Sequence, residues 1–456
     1  MRRKALALLY GALLTILLIN CKTESQQSGS QVAATALEHF TDSIVQQSID
    51  SAQIAGAAIL VHQNGKTLLK KSYGYASLEL DVPMPENAGF EIGSVTKQFT
   101  AAAILKLAAD GKLSLEDDFT KYLAYDTKGR KITIDQLLNH TSGIPSYTEM
   151  EAFGDFFMKA LPRDSLVRTI EAAEFLFEPG EAMIYNNSAY FLLGLIIEKV
   201  SGKTYEEYLS ETIFQPLEMQ NTYYCSSSEV VKNKVYGYSF TPDGLKRKMY
   251  LNHLWPYAAG SLCSTTEDLL IWLEALHHQK ILTPAQYAAM STPKTLNNGT
   301  PLRYAMGLTS FSRYGHKELG HGGGIFGFLS DTRYFPEEEL YLICLVNTTG
   351  PKGASFFTEN ISWELLDKQE YETQAVDFDL KAIEGTYSGQ TRGGKGTWEI
   401  NALEKGIRYK INNDTPDTLT VYLGNRTWAD GISRITFKED KVLMDRVSGY
   451  YTLHKQ

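Results

Sequence analysis

The chain has 456 residues, 43% of them hydrophobic, enough for a sizeable core and for two or three globular domains. Its 44 basic residues against 53 acidic ones give a formal net charge of −9, and no Lys/Arg run offers the electrostatic footprint a phosphate backbone requires. Nucleic-acid binding is therefore not expected, and the 9 histidines contain no His-Glu-x-x-His, so neither a metal nor another cofactor is expected.

The N-terminus, Met1-Arg2-Arg3-Lys4 followed by a mostly apolar stretch from Ala5 to Ile19, is too short for the ~20 residues of a spanning helix and fits a secretory signal peptide over residues 1–20. Leu18-Ile19-Asn20-Cys21 resembles a bacterial lipobox, which implies an exported protein, periplasmic or at the cell surface, held to a membrane surface through lipidated Cys21. Residues 21–35 are polar and Ser/Gln-rich, a flexible tether. A helix to about Ile49 should follow, then two strands around Asn64-Gly65, a strong hairpin signal. Cys225, Cys263 and Cys344 allow one disulfide at most; Cys344, inside the apolar run Leu340 to Val346, reads as filler in a buried strand.

Residues 91–111, EIGSVTKQFTAAAILKLAADG, start a helix expected to be amphipathic and place Ser94 three residues ahead of Lys97. Ser94 is either an N-cap or a nucleophile with its base one turn away. A hydroxyl attacks only after a neighbour removes its proton, and a lysine with a lowered pKa can do so. The second Ser-x-x-Lys, Ser291 to Lys294, contains Pro293 and reads as a turn. Tyr185 and Asn187 form a Tyr-x-Asn just before an apolar helix over 189–200; the second such pair, Tyr250 and Asn252, has no such context.

His321-Gly322-Gly323-Gly324 follows a strand edge, where the N–H of Gly324 and that of Ser94 could stabilise an oxyanion. An α/β-hydrolase is excluded because no Gly-x-Ser-x-Gly elbow exists. With the reference pKa of ~6.5, His321 would change charge near neutrality and so recognise substrate carboxylates in a pH-dependent way. Residues 367–376 are charged and unpatterned, a linker; beyond them Trp398/Ile400, Ile407/Tyr409/Ile411, Leu419/Val421/Leu423 and Ile435/Phe437 alternate with polar neighbours, which predicts a small antiparallel β domain over 377–456 that can be deleted without unfolding the rest.

The ordered set Ser94-x-x-Lys97, Tyr185-x-Asn187 and His321-x-Gly323 resembles the active-site motifs of class C β-lactamase and penicillin-binding-protein-like serine hydrolases, as do "ITIDQLLNHTSGIPSY", "FEPGEAMIYNNSAYFLLGLIIEKVSGKTYEEYL" and "AAGSLCSTTEDLLIWLEAL", over residues 36–366. The resemblance implies a mixed α/β (α+β) fold: an antiparallel sheet made by N- and C-terminal segments and flanked by helices, beside an all-helical lobe, with residues 377–456 similar to a lipocalin-like appendage. It also implies that Ser94 is acylated, Lys97 is its partner, Tyr185 activates water, and Asn187, His321, Gly323 and Gly324 contact substrate. His321 stands where most β-lactamases carry lysine, as in some D,D-peptidases and esterases. The expected function is hydrolysis of a small peptide, amide or ester; the competing reading is a sensor or scaffold that binds peptidoglycan peptides or β-lactams without turnover.

Overall fold

The computed structural model describes residues 35–226, 228–404, 406–412, 415–447 and 449–456. The signal-peptide and Cys21 lipidation expectations, and nearly all of the tether, fall on residues outside these. Among the described residues no helix is long and apolar enough to cross a membrane.

A helix over residues 35–50, α1, precedes strands β1 (Gly56–Gln63) and β2 (Lys66–Ser77). Asn64 and Gly65 join them with φ of 49° and 71°, the left-handed pair that a two-residue hairpin turn needs. After β3 (Val82–Pro83) the chain builds the helical lobe, with α2 (Thr96–Ala109), the short strand β4 (Met183–Ile184) and α3 (Asn187–Ser201). It then returns to the sheet through β5 (Thr309–Arg313), β6 (His316–Ile325), β7 (Phe328–Phe335) and β8 (Leu340–Val346), and α4 (Ala354–Leu365) follows. The strand order β5-β6-β7-β8-β1-β2-β3 sets N-terminal beside C-terminal segments through an antiparallel β1–β8 ladder, Ala57 opposite Val346 and Gln63 opposite Leu340.

The two central strands are apolar along their length because both sheet faces are covered. Ile59, Val61, Leu342 and Cys344 join one cluster with Phe357 and Ile361 of α4, while the alternate residues Leu60, Ile343 and Leu345 join the larger cluster that contains α2 and α3. That is the period of two expected of a strand. The amphipathic expectation for α2 gives way: from Thr96 to Leu107 every residue except Lys106 is buried, since α2 runs through the middle of the lobe with neighbours on all sides.

Beyond residues 367–376, which form no regular element, nine strands follow: β9 (Gly385–Thr391), β10 (Gly394–Leu403), β11 (Gly406–Ile411), β12 (Asp417–Leu419), β13 (Val421–Tyr422), β14 (Thr427–Ala429), β15 (Ser433–Lys438), β16 (Lys441–Arg446) and β17 (Gly449–Lys455). They form one antiparallel sheet in the order β12-β11-β10-β9-β17-β16-β15-β14-β13. Its two end strands are separated by Thr420 alone, so the sheet curls into a nearly closed barrel. The continuous alternation expected over Leu419, Val421 and Leu423 breaks at that corner, and Tyr422 rather than Val421 is the fully buried residue.

The barrel expected to be detachable is joined to the hydrolase region by a strand ladder, shared apolar clusters and an ion pair. Strand β4 adds to its sheet through β17, with Ile184 opposite Gly449 and Met183 opposite Tyr450. Ile184 is part of the barrel's apolar cluster, Met183, Tyr185, Leu302, Tyr304 and Tyr450 share another, and Arg303 pairs with Asp445 at 2.9 Å.

Candidate active site

Ser94 sits in a one-turn 3-10 helix, Gly93–Val95, that leads into α2. No side chain caps α2, so the choice left open between cap and nucleophile is resolved to the extent that Ser94 is not used as a cap. Gly93 has φ +49°, and a Cβ there would stand 2.9 Å from the Gly324 nitrogen, so only glycine lets the serine turn lie against β6. Gly323 is equally constrained: a Cβ would meet the Ile92 carbonyl oxygen at 2.1 Å and Ser330 Oγ at 2.2 Å. The Ser330 hydroxyl donates to that same Ile92 carbonyl at 2.7 Å, which ties β7 to the turn.

Lys97, fully buried one turn into the helix, places Nζ 3.1 Å from Ser94 Oγ, 2.8 Å from Asn187 Oδ1 and 2.8 Å from the Ala259 carbonyl oxygen. Burial, reinforced by the nearby charge of Arg392, holds its pKa well below the ordinary lysine value. Asn187 opens α3; its Nδ2 donates to Thr148 Oγ1 at 3.0 Å and its backbone N–H to Ser146 Oγ at 3.2 Å, which orients the amide oxygen toward the lysine. Asn186 caps that helix through the Ala189 N–H, so adjacent asparagines divide structure and site between them.

The Tyr185 ring packs 4.8 Å from Lys97 Nζ. Among the described residues its buried hydroxyl has no well-formed hydrogen bond, and burial raises its pKa, with Ser94 and Arg392 pulling the other way. The ring is held by His140, whose centroid lies 4.5 Å away and whose Nδ1 accepts from the Asn186 N–H at 3.2 Å.

His321 is 6% exposed, and its two nitrogens are both occupied: Nδ1 lies 2.6 Å from the Gly322 carbonyl oxygen and Nε2 3.0 Å from the Tyr304 hydroxyl. A carbonyl only accepts, so Nδ1 carries the proton; burial keeps the Tyr304 hydroxyl protonated, so it donates to Nε2. Burial, with Lys97 nearby, pulls the His321 pKa down to about 4. The expectation of a charge switch near neutrality is therefore corrected: burial of the ring and the nearby Lys97 favour the neutral imidazole, and both its nitrogens meet neutral partners.

Ser94, Tyr185, Asn187, His321, Gly323 and Gly324 thus border one cleft of about 420 Å³, with Lys97 sealed beneath them. Sequence reasoning missed Ala259, Thr148, Tyr304, His140 and Arg392. Of these, His140 and Ala259 had a usable signal, since both lie within segments that already carried the resemblance. Elsewhere, Cys225 and Cys263 form a disulfide and Cys344 is a buried free thiol, as the residue count allowed. Lys294 of the second Ser-x-x-Lys makes an ion pair with Asp135 at 3.1 Å, and Tyr250 of the second Tyr-x-Asn is half exposed.

Comparison with known proteins addresses the family and the fold. Residues 41–359 match the family model "Beta-lactamase". Protein flp of Staphylococcus aureus (strain MRSA252) is 30% identical over 347 residues, which is 73% of this chain and 67% of that protein. The octameric penicillin-binding protein homologue from Pyrococcus abyssi superposes with a TM-score of 0.65 at 26% identity, over 91% of this chain and 99% of that one, so its match extends past the hydrolase region into the barrel. A D-stereospecific amidohydrolase from Streptomyces sp. matches with a TM-score of 0.59 and 27% identity, over 68% of this chain and 93% of its own. The fold, the juxtaposed serine and lysine and these relatives together establish that the chain belongs to the beta-lactamase family of serine hydrolases.

Proposed function

We propose that this protein hydrolyses an amide or ester through a Ser94 acyl-enzyme, with Lys97 as the base that activates the serine. The observation that carries this reading is the set of three oxygens around Lys97 Nζ. A neutral amine has two N–H groups and one lone pair. The Ala259 carbonyl and the Asn187 amide oxygen only accept, so they take the two N–H groups and leave the lone pair for the Ser94 hydroxyl. Because burial lowers the lysine pKa, this neutral form is accessible at working pH.

Ser94 Oγ then attacks the substrate carbonyl carbon as its proton passes to Lys97 Nζ, and the developing oxyanion meets the N–H groups of Ser94 and Gly324. Collapse breaks the bond to the amine or alcohol, which leaves with a proton from Lys97, relayed through Tyr185. Water attacks the acyl-enzyme by the reverse route and restores the serine. Tyr185, whose proton is held more tightly than usual, serves as a relay rather than as a standing phenolate. The kinship with a D-stereospecific amidohydrolase supports amides as one substrate class.

A fluorophosphonate probe tests the reading directly: it should label the native protein and fail on Ser94→Ala, whereas a native protein that takes no label would favour the sensor or scaffold. Export is part of the proposal, supported by the Cys225–Cys263 disulfide, which persists in an oxidising compartment. Cys21→Ala should then move the protein from the membrane fraction to the soluble exported one.

A further inference from the structure

Arg392 belongs to the barrel but its side chain leaves it. It stands with Gly393 in the tight turn between β9 and β10, where Thr391 pairs with Gly394 and Gly393 has φ +83°. From there Nε donates to Glu149 Oε1 at 2.9 Å, and the guanidinium carbon lies 5.2 Å over the Tyr185 ring. The side chain borders both clefts that open on Ser94, the one of about 420 Å³ with His321 and a second of about 390 Å³ with Tyr147, Thr148 and Glu149.

The charges around it decide what it can do. Among the described residues bordering the two clefts, Arg392 alone carries a permanent positive charge. His321 is neutral and Lys97 is buried beneath the serine among three oxygens. Glu149 engages the Nε edge, and among the described residues the Nη groups have no hydrogen-bond acceptor. A guanidinium held by one carboxylate and one aromatic face at the border of two clefts has the fork geometry to take a second planar anion there.

We propose that Arg392 makes the barrel part of substrate recognition, its Nη groups binding a carboxylate carried by the substrate close to the bond that Ser94 attacks. The proposal rests on Ser94 being the nucleophile. Substrates with such a carboxylate are preferred over their neutral counterparts, and the preference is supplied by a part of the chain outside the three motifs.

The test uses the full chain and two matched aryl esters, one whose acyl chain ends in a carboxylate and the other its methyl ester. The readout is the ratio of kcat/KM for the anionic to the neutral ester. Arg392→Gln should lower that ratio about tenfold, the loss expected for one charge-assisted contact. Effects on Lys97 alter both esters and cancel in the ratio. Arg392→Lys should restore most of it, and Glu149→Gln, which keeps an acceptor but removes the competing charge, should raise it. A ratio unchanged in Arg392→Gln overturns the proposal and leaves Arg392 as a strut between barrel and lobe. Labelling by a neutral fluorophosphonate separates the two readings. If Ser94 is labelled and the ratio does not move, only the role of Arg392 fails; if the native protein is neither labelled nor active on either ester, both fail.

Discussion

A lysine sealed from water beside a serine should reveal itself in how the rate responds to pH. In the proposed role of base Lys97 must be neutral, so kcat/KM for a neutral ester should rise with pH through its lowered pKa and then level off. Tyr185, with its pKa raised, should add no loss on the alkaline side below the ordinary tyrosine value. His321, at about 4, should leave no inflection near 6.5. His321→Gln should therefore keep the acid limb of the profile in place, and a limb that moves with this substitution would reassign it. Lys97→Ala should lose on the order of a thousandfold or more in rate, as removal of one member of a nucleophile–base pair does. The side chains brought together here were legible where local spacing carries information: Ser94 and Lys97 share a helix face, and Tyr185 and Asn187 flank a helix start. The state of His321 was not, because sequence supplies only a reference pKa, and it is tertiary burial, with Lys97 brought close, that favours the neutral ring. Arg392 left no local trace, since its partner Glu149 lies far from it along the chain.

Between elements, the serine turn is positioned by contacts that exclude side chains. Gly93→Ala adds a Cβ 2.9 Å from the Gly324 nitrogen at a left-handed φ, so the turn and β6 must part. A shift of about 1 Å in reacting groups costs on the order of a hundredfold in rate. The variant should keep its far-ultraviolet circular dichroism while kcat falls by about that factor. The disulfide acts on a neighbouring element. Cys263 lies in a strand, Leu262–Ser264, that pairs with Phe90–Glu91 just ahead of the serine turn, and Cys225 follows another that pairs with it. Replacing both cysteines by serine opens a 38-residue loop and should cost ~2–4 kcal/mol in denaturant unfolding. The hairpin at Asn64-Gly65 and the buried strand around Cys344 could be read in advance because turn chemistry and apolar runs are local. The burial of α2 on every side could not, because periodicity within one helix does not report how many neighbours surround it.

For the whole molecule, the shared clusters predict that removing residues 377–456 leaves Met183, Tyr185 and Tyr304 with exposed apolar faces and β4 without its ladder. The truncated chain should be insoluble or melt well below the full one, and should lose serine labelling in either case. The break in sequence texture marked where the barrel strands begin but was blind to β4, two residues long, which crosses to them. Several buried histidines also set a common acid limit. His321 at about 4, His277 at about 3 and His140 well below its ordinary value all stay neutral in the native state, so between pH 6.5 and 4 the unfolded chain binds protons that the folded one does not. Stability should fall with pH across that window, His321 alone contributing ~3 kcal/mol by pH 4, while His316, whose pKa is raised, offsets a little of the loss. Urea melts at a series of pH values would show this slope. The β4–β17 ladder also bears on the order in which the protein is made. A chain emerging from the ribosome N-terminus first exposes Ser94, Lys97, Tyr185 and His321 long before the strand that backs Tyr185 has been synthesised. The scaffold is thus completed late, and a nascent chain stalled between Gly324 and Gly449 carries all three motifs without the strand that backs the second of them.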